Sequence, residues 1–115
     1  MAFTDTHLEH FERDYGCTPS EWLGWMPEAT QGHAWRQLNA EGLALPAPRA
    51  DAQGQVCITL PGGQLSTRWQ VLEPRRIALI SLPRMRVSFQ FSGVDLATRQ
   101  AFMRVFDLHL QRGGG

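Results

Sequence analysis

The sequence predicts a single α+β domain: a four-stranded antiparallel meander with a C-terminal helix on one face, preceded by two short N-terminal helices. Three observations predict it. Apolar and polar residues alternate in runs between Gln55 and Phe91, apolar residues recur at helical spacing from Leu96 to Leu110, and two Thr-x-x-Glu capping boxes open the N-terminal quarter. With 115 residues, 43% of them hydrophobic, the chain can remove roughly two thirds of its unfolded surface from water without metal or disulfide support. One domain spanning 1–115 follows, with an acidic helical and irregular part over 1–54 and a sheet plus helix over 55–112.

The first box, Thr6-His7-Leu8-Glu9, predicts a helix over residues 6–15, because Leu8, Phe11 and Tyr15 then fall at i, i+3 and i+7 and Gly16 supplies a stop. The second, Thr18-Pro19-Ser20-Glu21, carries Pro at the first helical position, where its missing N–H costs nothing. Trp22, Leu23, Trp25 and Met26 form the apolar surface of this second helix, which is expected to end before Pro27. Residues 27–54 are irregular, with a short strand or helical turn allowed around Leu43-Ala44-Leu45 and an exposed connection from Pro46 to Gly54.

From Gln55 the period is two. Val56, Ile58 and Leu60 alternate with polar neighbours, Pro61-Gly62-Gly63 turns the chain, and Leu65, Thr67, Trp69 and Val71 continue the pattern. A third strand is expected over the apolar run from Arg76 to Leu82, and a fourth carries Met85, Val87, Phe89 and Phe91. Proline cannot donate into a ladder, so Pro74 and Pro83 are expected at strand ends. Ser92 or Asp95 caps the last helix, which aligns Leu96, Phe102, Met103, Phe106 and Leu110 on one side and Gln100, Arg104 and Asp107 on the other. Arg112 and Gly113 suit its C-terminus, and Gly113 to Gly115 read as a frayed tail.

The net charge of zero is the sum of two opposite halves. Residues 1–55 hold eight acids against Arg13, Arg36 and Arg49, a net −5, and residues 56–115 hold eight arginines against Glu73, Asp95 and Asp107, a net +5. All 11 basic residues are Arg, for which a GC-rich genome is the simplest reading. Arg68, Arg75, Arg76, Arg84 and Arg86 form the main cluster, with Arg84 and Arg86 on the polar face of one strand. Guanidinium forks match carboxylate or phosphate, so this face suits an anion or an acidic partner; a solvated or internally paired face is the plain alternative. Nucleic acid is disfavoured, because Trp69, Phe89 and Phe91 have core parity and leave no stacking platform among the charges.

Arg99 lies inside the apolar stripe of the last helix, where it either snorkels to solvent or reaches into a cavity to orient an anion. Trp22, Trp25 and Trp35 read as an accessory part of the core or as an aromatic patch for a partner. His7 and His10, with Cys17 and His33 further on, match no zinc spacing, and no metal or cofactor is expected. Cys17 precedes a helix N-terminus that can lower a thiol pKa, but no catalytic signature surrounds it, and Cys57 has the parity of an inert strand residue. Two cysteines far apart give no disulfide framework. No apolar run approaches the roughly 20 residues of a membrane span, and Met-Ala-Phe-Thr-Asp lacks the features of a signal peptide. A cytoplasmic protein without a membrane partner is therefore expected.

The segment from Arg75 to Arg112, with Val87-Ser-Phe-Gln-Phe91 running into a helix that carries Arg99, Phe102, Met103 and Phe106, resembles the C-terminal part of a group of small proteobacterial proteins. Tyr15-Gly-Cys-Thr-Pro-Ser-Glu-Trp22 resembles the same group, and the resemblance implies no activity. The strand-to-helix ending is also similar to that of PilZ domains, which bind a cyclic dinucleotide, but their Arg-x-x-x-Arg and Asp-x-Ser-x-x-Gly motifs are absent. The sequence thus points to a non-enzymatic binding or protein-interaction module whose Arg-bearing sheet face meets an acidic protein partner or a second copy of the chain. The alternative is a small-ligand-binding protein or enzyme, in which Arg99 orients an anion between sheet and last helix and Cys17 or a His performs the chemistry.

Overall fold

A computed structural model describes residues 5–112. The chain runs β1 (His10–Tyr15), α1 (Pro19–Ala29), β2 (Trp35–Leu38), β3 (Gln53–Leu60), β4 (Gly63–Ile77), β5 (Ile80–Ser92) and α2 (Leu96–Arg112). The strands form one antiparallel sheet in the order β1-β5-β4-β3-β2. The class is α+β as expected, but the sheet has five strands rather than four, and in place of two N-terminal helices there is one, α1, which follows β1.

The expected helix over residues 6–15 is replaced by a turn and by β1. Phe11 and Tyr15 are four apart, which is about one helical turn but also two strand periods, so their spacing fits both. In the structure Phe11, Arg13 and Tyr15 face inward while Glu12 and Asp14 face out. Phe11 pairs with Phe89 of β5, and the rings stack at 4.8 Å with planes 15° apart. This edge pairing satisfies those β1 backbone groups that point toward β5, and Leu8, expected on a buried helical face, is exposed.

The capping box of α1 is formed. Glu21 N–H donates to Thr18 Oγ1 at 3.1 Å and Thr18 N–H donates to the Glu21 carboxylate at 3.0 Å. The helix runs past Pro27 to Ala29, since a proline in the last turn removes only one ladder bond, and Thr30 N–H closes the end on Met26 O. β2 is a short edge strand. The following loop folds back on it through Gln37, whose side chain donates to Arg49 O at 2.8 Å and accepts from Arg49 N–H at 2.9 Å.

β3 and β4 are joined by Pro61–Gly62, with Gly62 at φ 85°, the combination used by a type II turn. β4 and β5 are not three strands broken at prolines but one long hairpin. Leu72 pairs with Arg84 and Arg75 with Leu82, so Glu73 and Pro74 together oppose the single Pro83. A β-bulge thus accommodates both prolines inside the strands, where no ladder N–H is needed from them. The run from Arg76 to Leu82 is the tip of this hairpin, turning at Ala78–Leu79, and it is exposed rather than a buried strand. β3 pairs with β4 only to Gln70 and β1 with β5 only from Met85, so residues 72–84 project as a two-stranded arm.

Asp95, not Ser92, caps α2: Thr98 N–H donates to its carboxylate at 2.8 Å and Arg99 N–H to its carbonyl at 2.9 Å. Phe102, Met103, Phe106 and Leu110 are buried as expected, whereas Leu96 is exposed. Gly113 to Gly115 lie outside the described residues. Both helices pack on the same sheet face, over Phe11, Tyr15, Val56, Ile58, Leu65, Trp69, Met85, Val87, Phe89 and Phe91. Trp22 joins the layers, with its ring 5.3 Å from Tyr15, 6.3 Å from Phe89 and 5.8 Å from Phe106. Among the described residues no helix is long and apolar enough to cross a membrane.

Candidate functional site

Because both helices cover one side, the other side of the sheet is open, and the strand register decides what it displays. Asp14, Arg86 and Gln70 form one row; Glu12, Ser88, Arg68 and Gln55 the next; His10, Gln90, Ser66, Cys57 and Arg36 a third. Arg84 stands beside Asp14 and Arg86 at the base of the arm. Three of the five clustered arginines, Arg68, Arg84 and Arg86, therefore share this face, joined by Arg36, whose parity could not be assigned before β2 was known.

Asp14 partly neutralises this row. Arg86 donates to both carboxylate oxygens, at 2.9 and 3.3 Å, and Arg84 approaches at 3.7 Å. The Arg86 hydrogen bond, reinforced by the charges of Arg86 and Arg84, holds the Asp14 carboxyl below its usual range. All three groups remain roughly half exposed, so water still reaches them. Among the described residues no acidic side chain lies within ion-pair distance of Arg68, Arg75 or Arg76. The acidic half of the sequence therefore reaches the arginine face through Asp14, which engages Arg86 and Arg84, and leaves Arg68 without an acidic side chain in ion-pair distance.

Arg75 and Arg76 sit on the arm. Arg75 shares one of its faces with Ile77, Ile80 and Leu82, while Arg76 and Ser81 occupy the other. Ile77, Ile80 and Leu82 are exposed, and Leu79 at the turn is completely so (103%). Sequence reasoning missed these residues as surface features because a run that is apolar apart from Ser81 resembles a buried strand and the turn lacks Gly or Asn.

Arg99 is not on that face. It is buried under the start of α2, where Nη1 donates to Val94 O at 2.7 Å and Nη2 to His7 O at 3.1 Å, and Nε has no partner. Two backbone carbonyls occupy the fork that would hold an anion, and Phe102, Met103 and Phe106 fill the layer between α2 and the sheet. A cleft of about 460 Å³ lies instead at the corner of the sheet, lined by Gln37, Asn39, Arg49, Gln55, Arg68 and Trp69 among others.

The three tryptophans form no common exposed patch. Trp22 is fully buried, and Trp25 and Trp35 are half-buried against the same core. Cys17 is buried too, and that burial, together with the charge of Glu21, pushes its thiol pKa up to about 12, opposite to the activation its place before a helix suggested. His7 lies in a turn and His10 on β1, where its Nε2 is 3.2 Å from Ser88 Oγ; His33 stands against Phe102. Among the described residues no group of three or more His, Cys, Asp or Glu is placed to hold a metal ion.

One charged residue escaped the sequence reading altogether. Arg13 is 5% exposed, donates to Asp5, Tyr15 and Asp107, and lies over the rings of Phe11 and Phe89 at 5.0 and 5.5 Å. Burial opposes its charge, but the bonds to Asp5 and Asp107 outweigh it and hold its pKa above the ordinary value. Through Asp107 it connects β1 with α2. No protein-family model and no curated protein matches the chain.

Proposed function

We propose that the protein is a non-enzymatic cytoplasmic binding module that presents its helix-free sheet face to an acidic protein partner, through Arg68, Arg84 and Arg86. The observation that carries this reading is the placement of both helices on one sheet face, which leaves the arginine row of the other open. Planar guanidinium groups on a rigid sheet offer paired N–H donors to carboxylates with little further ordering to do. The aromatic residues Trp69, Phe89 and Phe91 all lie on the covered face, so bases would find no stacking surface here. The same charge pattern also suits a second copy of the chain, whose Glu12 and Asp14 stand on its own sheet face.

Amide NMR titration with poly-L-glutamate at low and high salt tests this. Expected are shifts confined to open-face residues of β4 and β5, weakened by salt and by the pair Arg68→Ala, Arg86→Ala. Salt-independent binding, or shifts on the helix side, would overturn it. Sedimentation of the protein alone separates self-association from binding to another chain.

A further inference from the structure

The β4–β5 arm stands clear of the neighbouring strands over residues 72–84. A two-stranded ribbon gains little stability by itself, yet this one carries four exposed large apolar side chains, Ile77, Leu79, Ile80 and Leu82. The most exposed of them stands at the turn, not along a strand edge. Ala78 adopts φ 53°, a conformation for which Gly, Asn or Asp is the usual choice, and Ala-Leu occupies a turn that most hairpins make polar. Local chemistry has thus given way to an apolar tip.

What surrounds the tip is cationic. From Arg75 to Arg84 the chain has no acid, and Arg75 and Arg76 stand directly behind Ile77–Ile80 on opposite faces of the arm, with Arg84 at its base beside Asp14. An apolar end with a basic collar is complementary to a surface that is apolar inside and anionic at its rim. We propose that the tip of the β4–β5 arm, Ile77 to Ile80, inserts into the interfacial zone of an anionic lipid bilayer, with Arg75 and Arg76 at headgroup level.

The dimensions suit a shallow anchor. Arg76 is one strand residue, about 3 Å, behind Ile77, and the two-residue turn Ala78–Leu79 caps the strand, so the apolar end beyond the charges is short, at the shallow end of the roughly 5–10 Å depth of an interfacial anchor. Beyond the sheet both edges of the arm leave backbone groups without a neighbouring strand, and such groups are costly in hydrocarbon, so insertion stops at the tip. The expectation of no membrane partner rested on the lack of a spanning run, which a surface anchor does not require. A protein pocket would also take an apolar tip, but a bilayer is satisfied by a collar whose charges lie on both faces of the arm.

Co-sedimentation with vesicles of equal parts phosphatidylglycerol and phosphatidylcholine, against phosphatidylcholine alone, tests the proposal. Expected is binding to the anionic vesicles only, reduced at least about tenfold by Leu79→Asp and about fivefold by each of Arg75→Ala and Arg76→Ala. These side chains are exposed, so circular dichroism and the melting temperature should show the variants folded. Cys17 and Cys57 are buried, so an environment-sensitive dye on Leu79→Cys reports the tip selectively, and its emission should shift to the blue on anionic vesicles. No binding, equal binding by Leu79→Asp, or an unshifted dye overturns the proposal. So does a dimer, formed without lipid, that Leu79→Asp dissolves, which would place the tip in a protein interface.

Discussion

Arg13 of β1 donates to Asp107 of α2 across 94 residues of sequence, with Asp5 holding the other side of the guanidinium. The side chains of Arg13 and Asp107 are 2% and 13% exposed, so this is a buried ion pair joining an edge strand to the helix that covers it. Removing one member leaves the other charge without compensation. Arg13→Ala is expected to cost about 3–5 kcal/mol in urea unfolding. The double variant Arg13→Met, Asp107→Leu should recover most of that loss, because it removes both charges and keeps the volume, while Asp5 can turn to water. A loss below about 1 kcal/mol for Arg13→Ala would show that the pair does not hold β1 in place.

Gly54 pairs with Trp69 across β3 and β4, and a Cβ at Gly54 would fall within the indole ring. Trp69 is fixed there by its Nε1 donating to Asp51 O at 2.9 Å, so it cannot easily step aside. Gly54→Ala is expected to destabilise by about 1–3 kcal/mol through overpacking and to alter tryptophan fluorescence. An unchanged spectrum and midpoint would mean that the indole swings away without loss.

Where the sequence was legible, one period acted alone. α1 and α2 carry helical spacing with their caps, and β3 and the first half of β4 carry uninterrupted alternation, so these elements fall where they are expected. β1 was hidden because Arg13 occupies an inward position, and a charge there erases the alternation that Phe11 and Tyr15 would otherwise show. The arm was hidden because Pro74 and Pro83 usually mark strand ends, and only pairing across the hairpin reveals that one bulge absorbs both. β2 has four residues, too few to show a period, and its place at the sheet edge depends on β3. The arginine face was legible in part: strand parity gave Arg84 and Arg86, and the register of β4 against β5 adds Arg68. Whether the acidic half covers it depended on where the helices pack, which composition does not encode.

The thiols give a direct check on the core. Burial, aided by Glu21, raises the Cys17 pKa to about 12, and burial also raises that of Cys57. At neutral pH both should remain protonated thiols in the folded protein. A disulfide reagent is therefore expected to modify neither until denaturant is added, and then both. Rapid labelling of one thiol in the native protein would contradict the packing around α1 or the open face.

Asp14 tests the arginine face from within. Its carboxyl is held below the usual range by the hydrogen bond from Arg86 and then by the charges of Arg86 and Arg84, so Arg86→Ala should raise its pKa toward the ordinary value in a carboxyl NMR titration. For a depressed carboxyl the sign is fixed: its contribution to stability is present above the unfolded pKa and is lost as pH falls through the folded one. An exposed pair contributes little, so the change in stability should be small. The larger consequence concerns binding. Asp14 competes with any acidic partner for Arg84 and Arg86, and Asp14→Asn releases both. Poly-L-glutamate should then bind about two- to fivefold more tightly, in line with the value of an exposed ion pair of up to ~1 kcal/mol. Unchanged or weaker binding by Asp14→Asn would mean that Arg84 and Arg86 serve only to fix the end of β1, and that the partner face lies elsewhere.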